Sequence, residues 1–220
     1  MEVLVADLTR PDDLHRVEEV LRSNPAVTML VNNAGVGALA PLLDSDVDAM
    51  QAMIELNVTA LTRLTYAFAP TAVGRGGGTL INLASIVGVI PELFNGVYGA
   101  TKAYVLALSQ SLRHELADQG MRVQVVVPGA TATDFWEIAG APVENLLPQE
   151  LVMTVGDLVD AALAGLDAGE FVTIPALPDP AMWEAYQQAR VALKGNMSRA
   201  KPAERYRRPY AGTLTGRALC

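Results

Sequence analysis

The chain has 220 residues, 51% of them hydrophobic, and a formal net charge of −8. Such a length fits one ordinary domain with a large core, and the acidic balance argues against nucleic acid as the main partner, because phosphate binding needs clustered Lys and Arg. A single cysteine, Cys220, and two histidines, His15 and His114, exclude an intrachain disulfide and make a metal cluster a poor expectation. No apolar stretch nears the roughly 20 residues of a membrane helix, and the N-terminus is acidic, so a soluble, cytoplasmic protein with no membrane partner is expected.

Taken in order, Val3-Leu4-Val5 is expected to form a short strand that ends at Asp7 and Leu8. Pro11, Asp12 and Asp13 suit the first turn of a helix, which Asn24-Pro25 stops. Thr28 to Val31 is the next strand, emptying into Asn32-Asn33-Ala34-Gly35. From Asp44 to Pro70 the apolar residues keep helical spacing, with Asn57 inside the run. Gly76-Gly77-Gly78 precedes a strand and is followed by no helix and lysine of the phosphate-loop kind, so it is expected to be a turn.

Gly78 to Ala84 has the β-branched content of a buried strand and ends at Ser85. A second long helix is expected from Tyr98 to Ala117, stopped by Gly120. Tyr98 and Lys102 lie four residues apart on it, so they share one face, and an ammonium beside a phenol is expected to lower the phenol's pKa. Met121 to Val127 is a further strand, closing at Pro128-Gly129 with Thr133 behind. Residues 134–153 lack periodicity and suit a flap. Beyond it come a helix over 155–166, a strand over 171–174, a helix over 181–193 and a tail from 195.

Strands that alternate with helices and carry Val, Ile and Leu without polar alternation imply a doubly wound parallel α/β sheet, here taken as a single domain over 1–220. Ligands of such sheets bind beyond the carboxyl ends of the strands, where the polar clusters just named lie.

In order and spacing, Asn32-Asn33-Ala34-Gly35, Asn57, Ser85, Tyr98-x-x-x-Lys102 and Pro128-Gly129 with Thr133 resemble the motifs of the classical short-chain dehydrogenases/reductases. That resemblance implies a Rossmann-like fold, an NAD or NADP cofactor and oxidoreduction of a carbonyl or secondary alcohol. It makes Tyr98 the acid or base, Ser85 the partner of the same reacting oxygen, Lys102 the residue that tunes Tyr98 and holds the nicotinamide ribose, and Asn57 the anchor of a proton relay. It also assigns cofactor contacts to Asp7, Leu8, Asn33, Ala34, Gly35, Pro128, Gly129 and Thr133, and implies a homo-dimer or homo-tetramer through the two long helices. An apolar substrate is expected from Ile86, Val89, Ile90, Leu93, Phe94 and Phe135-Trp136.

One departure stands out: the family's opening strand, glycine-rich turn, helix and second strand have no counterpart here, so an N-terminally truncated fold is expected, short of about 30 residues of a βαβ unit. The alternative expectation is therefore a non-enzymatic module that keeps the fold without binding a dinucleotide.

Overall fold

A computed structural model describes residues 2–207. The described residues divide into two compact units that part between Ala176 and Leu177. The first unit contains one parallel sheet in the order β1-β2-β3-β4, made of β1 (Met29–Asn32), β2 (Gly78–Leu83), β3 (Met121–Val126) and β4 (Val172–Thr173). Leu30 stands opposite Leu80, and Leu80 opposite Val123. Parallel neighbours need crossovers, and helices supply them. Helices α2 (Val47–Ile54) and α3 (Leu61–Gly74) link β1 to β2, α4 (Gly96–Leu116) links β2 to β3, the short α5 (Phe135–Ala139) and α6 (Val155–Asp167) link β3 to β4, and α1 (Pro11–Ser23) precedes β1. This is the α/β parallel sheet expected. The second unit contributes α7 (Pro180–Ala192), capped by Asp179.

The main core joins α1, α3 and α4 to the sheet through Leu14, Leu21, Leu64, Phe68, Leu80, Leu112 and Val123. One carboxylate is buried beside it. Glu18 on α1 takes Arg22 at 2.7 Å and Arg63 of α3, so the α1–α3 seam carries a paired charge rather than an unpaired one. Between the central strands and α4 runs a buried amide chain: Asn32 donates to Asn82 at 2.9 Å and to Thr65 at 3.1 Å, and Asn82 donates to Ser109 at 2.9 Å. These bonds fix the end of β1 against β2 and the helix layer.

The turn over Gly76 and Gly77 forms as expected, with φ of +97° and +132°. A Cβ on Gly77 would lie 2.1 Å from the Gly120 carbonyl oxygen, so two glycine turns at the starts of β2 and β3 touch backbone to backbone.

Four expectations change. Val3-Leu4-Val5 is not a strand, and Val5 is 82% exposed. It pairs with no strand among the described residues, its Val5 carbonyl accepting only from the Arg16 side chain at 2.8 Å, and β-propensity acts only through pairing and packing. The run from Asp44 to Pro70 is not one α-helix: Leu42–Asp44 is a 3₁₀ turn, α2 starts after the cap Asp46, and Glu55–Ala60 is a π-helical turn. Pro70 does not end α3, because the buried Ala72 holds a last turn onto the core. Residues 135–139 are helical, and Trp136 is only 8% exposed, so this part of the flap is packed.

Candidate active site

The catalytic candidates converge at the carboxyl ends of β1, β2 and β3. Beyond β2 the parallel ladder continues by two bonds, Ala84 N–H to Val126 O at 2.8 Å and Ile86 N–H to Pro128 O at 3.0 Å. They bring Ser85 beside the Pro128-Gly129 turn. A 3₁₀ turn over Ile86–Gly88 then packs directly on α4: a Cβ on Gly88 would sit 2.7 Å from the Lys102 carbonyl carbon. Any side chain there would push the Ser85 loop off the helix that bears Tyr98 and Lys102.

Helix α4 begins at a buried cap. The side-chain oxygen of Asn95 accepts from Val97 N–H at 2.9 Å and Tyr98 N–H at 3.2 Å, while its amide donates to the Ala40 carbonyl. One residue thus sets the start of α4 and ties it to the loop after β1. Loss of an asparagine cap costs about 1 kcal/mol. Asn95→Ala is expected to lower the free energy of unfolding by that amount, measured as a lower urea midpoint with an unchanged slope.

Tyr98 and Ser85 line the same cleft, with the Ser85 hydroxyl donating to the Pro128 carbonyl at 3.5 Å and accepting from Val87 N–H at 3.4 Å. Burial pushes the Tyr98 phenol up to about 12, an effect that the nearby Ser85 hydroxyl partly offsets. The expected fall is thus reversed, because desolvation outweighs any help from Lys102. The ammonium of Lys102 lies 5.8 Å from the Tyr98 ring centroid and donates to the Leu83 carbonyl at 2.9 Å. Its own burial pulls it down to about 8, which weakens it as a fixed charge.

Asn57 occupies the π-helical turn, a common device for turning a functional side chain out of register. Its oxygen accepts from Val36 N–H at 3.0 Å, and its amide donates to Val36 O at 2.8 Å and to Thr101 at 3.1 Å. The side chain is spent on clamping the β1 loop to α4. It lies directly behind Gly35, whose Cβ, if present, would be 3.1 Å from Asn57 Oδ1 and 3.4 Å from Lys102 Nζ.

A cleft of about 940 Å³ opens in front of these groups. Asn33, Gly35, Ser85, Tyr98, Lys102, Pro128, Gly129 and Thr133 all line it, together with an apolar wall that includes Leu93, Phe94, Phe135 and Trp136. Asn57 stands behind that lining, against Gly35, whereas Ala34 is exposed and does not line the cleft. Asp7 and Leu8 do not reach it. The Asp7 carboxylate is turned onto Thr9, accepting from its hydroxyl at 2.7 Å and its N–H at 3.0 Å, which holds its carboxyl below the ordinary value. Leu8 packs on the main core.

Several working residues escaped the sequence reading. Asn95 was hidden beside Gly96, which suggests a break, although an asparagine three residues before the tyrosine is a usable cap signal. Thr101 and the Leu83 carbonyl carry no pattern of their own. Gly37 matters only through Phe135, whose ring occupies the space of its missing side chain.

A doubly wound parallel sheet with this cluster at its carboxyl edge is a Rossmann-like fold. The chain belongs to the short-chain dehydrogenase family, whose sequence model matches residues 1–142. A short-chain dehydrogenase from Sphingobium yanoikuyae, solved in complex with NADPH, superposes with a TM-score of 0.90 at 47% identity, covering 94% of this chain and 79% of that one. The bulky-bulky ketone specific alcohol dehydrogenase from Comamonas testosteroni gives 0.84 at 42% identity, over 93% and 77%. In sequence, the NADPH-dependent 1-acyldihydroxyacetone phosphate reductase of Schizosaccharomyces pombe is 28% identical over 86% of this chain and 72% of its own length. Against other curated relatives the chain spans about half their length, 48% and 47% in two cases. Among the described residues no helix is long and apolar enough to cross a membrane.

Proposed function

We propose that this chain reduces an apolar ketone to a secondary alcohol with NADPH as donor. The observation that carries the reading is a buried phenol held in its protonated form, sharing an apolar cleft with the Ser85 hydroxyl. A protonated phenol is the form that donates to a developing alkoxide. Ser85 offers a second hydroxyl to the same oxygen, so the carbonyl is held by two donors, and the apolar wall keeps water from competing for them.

The residues fit the nicotinamide end of the cofactor. Asn33, Gly35, Pro128, Gly129 and Thr133 line the same cleft as Tyr98, and the bare Cα of Gly35 lets Asn57 and Lys102 pack directly against the backbone there. When bound there, the reduced cofactor supplies the hydride. Lys102 would hold the ribose, and Tyr98 would deliver the proton to the ketone oxygen. Among the described residues no glycine-rich strand-turn-helix lies beside β1, so the fit does not extend to the pyrophosphate. The adenine-end assignment of Asp7 and Leu8 has no support from the cleft.

NADPH is favoured over NADH because the Sphingobium structure holds NADPH and the fission yeast reductase is named for it. The Comamonas enzyme's specificity supports a ketone with two large substituents. The exposed apolar residues Met29 and Val31 on the outermost strand favour the second reading, a module that binds another surface and no dinucleotide. Fluorescence titration decides between them. Saturable NADPH binding, with loss of NADPH absorbance on adding benzophenone, is the expected result. A folded chain that shows neither supports the binding module.

A further inference from the structure

We infer that Gly37 sets the width of the substrate cleft beside Tyr98 by giving its side-chain space to the ring of Phe135. The inference rests on the ketone-reductase reading only for the identity of the substrate. A Cβ built on Gly37 would lie 2.3 Å from Phe135 Cζ, 2.8 Å from Cε2 and 3.3 Å from Cε1. The far edge of the ring is therefore seated on bare backbone.

Neither backbone is free to retreat. Leu39 N–H donates to Ala139 O at 3.0 Å, which ties the Gly37 loop to α5. On one side of Gly37 the loop is clamped by both Val36 bonds to Asn57, and on the other Ala40 accepts from Asn95. A methyl group at position 37 must therefore be met by movement of the ring.

The ring has a defined set of neighbours. Phe135 lies 5.4 Å from Tyr98 and 5.6 Å from Trp136, edge-on to the latter at 89°. Phe94 completes the circuit at 5.2 Å from Tyr98 and 6.0 Å from Trp136. Trp136 is pinned, since its indole N–H donates to Thr131 O at 2.8 Å. All four rings line the cleft. With Trp136 fixed, a ring unseated from Gly37 moves over the Tyr98 side and takes volume from the substrate. Glycine at 37 thus keeps the cleft wide, and a larger residue there selects for smaller ketones.

The test compares benzophenone with 2-butanone. In Gly37→Ala the ratio of kcat/KM for benzophenone over 2-butanone should fall about tenfold, the usual scale of one methyl group in an apolar pocket. In a Phe135→Ala background, adding Gly37→Ala should leave the ratio unchanged, because the clash has gone. An unchanged or increased ratio in the single variant, or an equal fall in the double variant, would overturn the inference. Calorimetric titration with benzhydrol separates this from the redox reading. A wild-type chain that reduces no ketone, yet binds benzhydrol about tenfold more tightly than Gly37→Ala, loses the reductase reading and keeps this one. No binding by the wild type overturns both. If Gly37→Ala does not fold, Phe135→Ala alone must raise the kcat/KM ratio for benzophenone over 2-butanone; an unchanged ratio counts against the inference.

Discussion

Tyr98→Phe is expected to lower kcat for ketone reduction by about 10²- to 10⁴-fold, the span of a positioned general acid. The substitution removes one oxygen and keeps the ring that packs against Phe94 and Phe135. Apparent affinity for ketone and for NADPH should therefore stay within about twofold, since the loss is confined to an interaction made in the transition state. The wild-type pH profile carries the same signature. With the phenol pushed up to about 12, the proton donor is fully loaded across the neutral range, so reduction should be flat from pH 6 to 9 with respect to this group. Alcohol oxidation needs the deprotonated phenol and should rise with pH over the same interval. A Tyr98→Phe variant that turns over at the wild-type rate would remove the phenol from the chemistry and leave Ser85 without its partner.

The parallel sheet was legible because its strands are written in Val, Ile and Leu and their ends in glycine and small polar residues. Asn32, Ser85 and Pro128 mark the ends of three adjacent strands, so a reading by element order alone brings them to one edge. Tyr98 and Lys102 were legible as a pair because helical spacing leaves no choice of face. What the pair does to its own acidity was not. Spacing reports proximity, whereas the phenol's acidity is decided by burial, and burial depends on Phe94, Phe135 and Trp136 arriving from two other segments.

Local irregularity was the other blind spot. The π-helical turn at Asn57 has the same apolar period as the helices on either side, so periodicity runs through it unbroken; only the pull of Val36 and Thr101 on the side chain betrays it. Pro70 shows the converse. A strong local stop signal is overruled because Phe68 and Ala72 are wholly buried on either side of it, and the core pays for the missing hydrogen bond. Val3 to Val5 has strand-forming residues and, among the described residues, no strand to join, which composition alone does not reveal.

Lys102 yields a stability prediction with an unusual sign. Burial lowers its folded pKa from 10.5 to about 8, whereas in the unfolded chain the ordinary value applies. Between those values the unfolded chain binds the extra proton, so the wild-type protein gains stability as pH rises through that window. Below pH 8 both states are protonated and the buried charge is a constant burden; above 10.5 both are neutral. Measured by urea unfolding against Lys102→Met, which has nothing to titrate there, the wild type should gain about 2 to 3 kcal/mol between pH 7 and pH 10. The bond from Lys102 Nζ to the Leu83 carbonyl does not cancel the effect, because a neutral amine still donates. Parallel pH profiles for the two proteins would mean that Lys102 keeps its full charge in the folded state. The same variant tests why a buried amine is kept at all. If Lys102→Met is the more stable protein at pH 7 and has lost turnover, the ammonium is a burden on the fold retained for what it holds in the cleft.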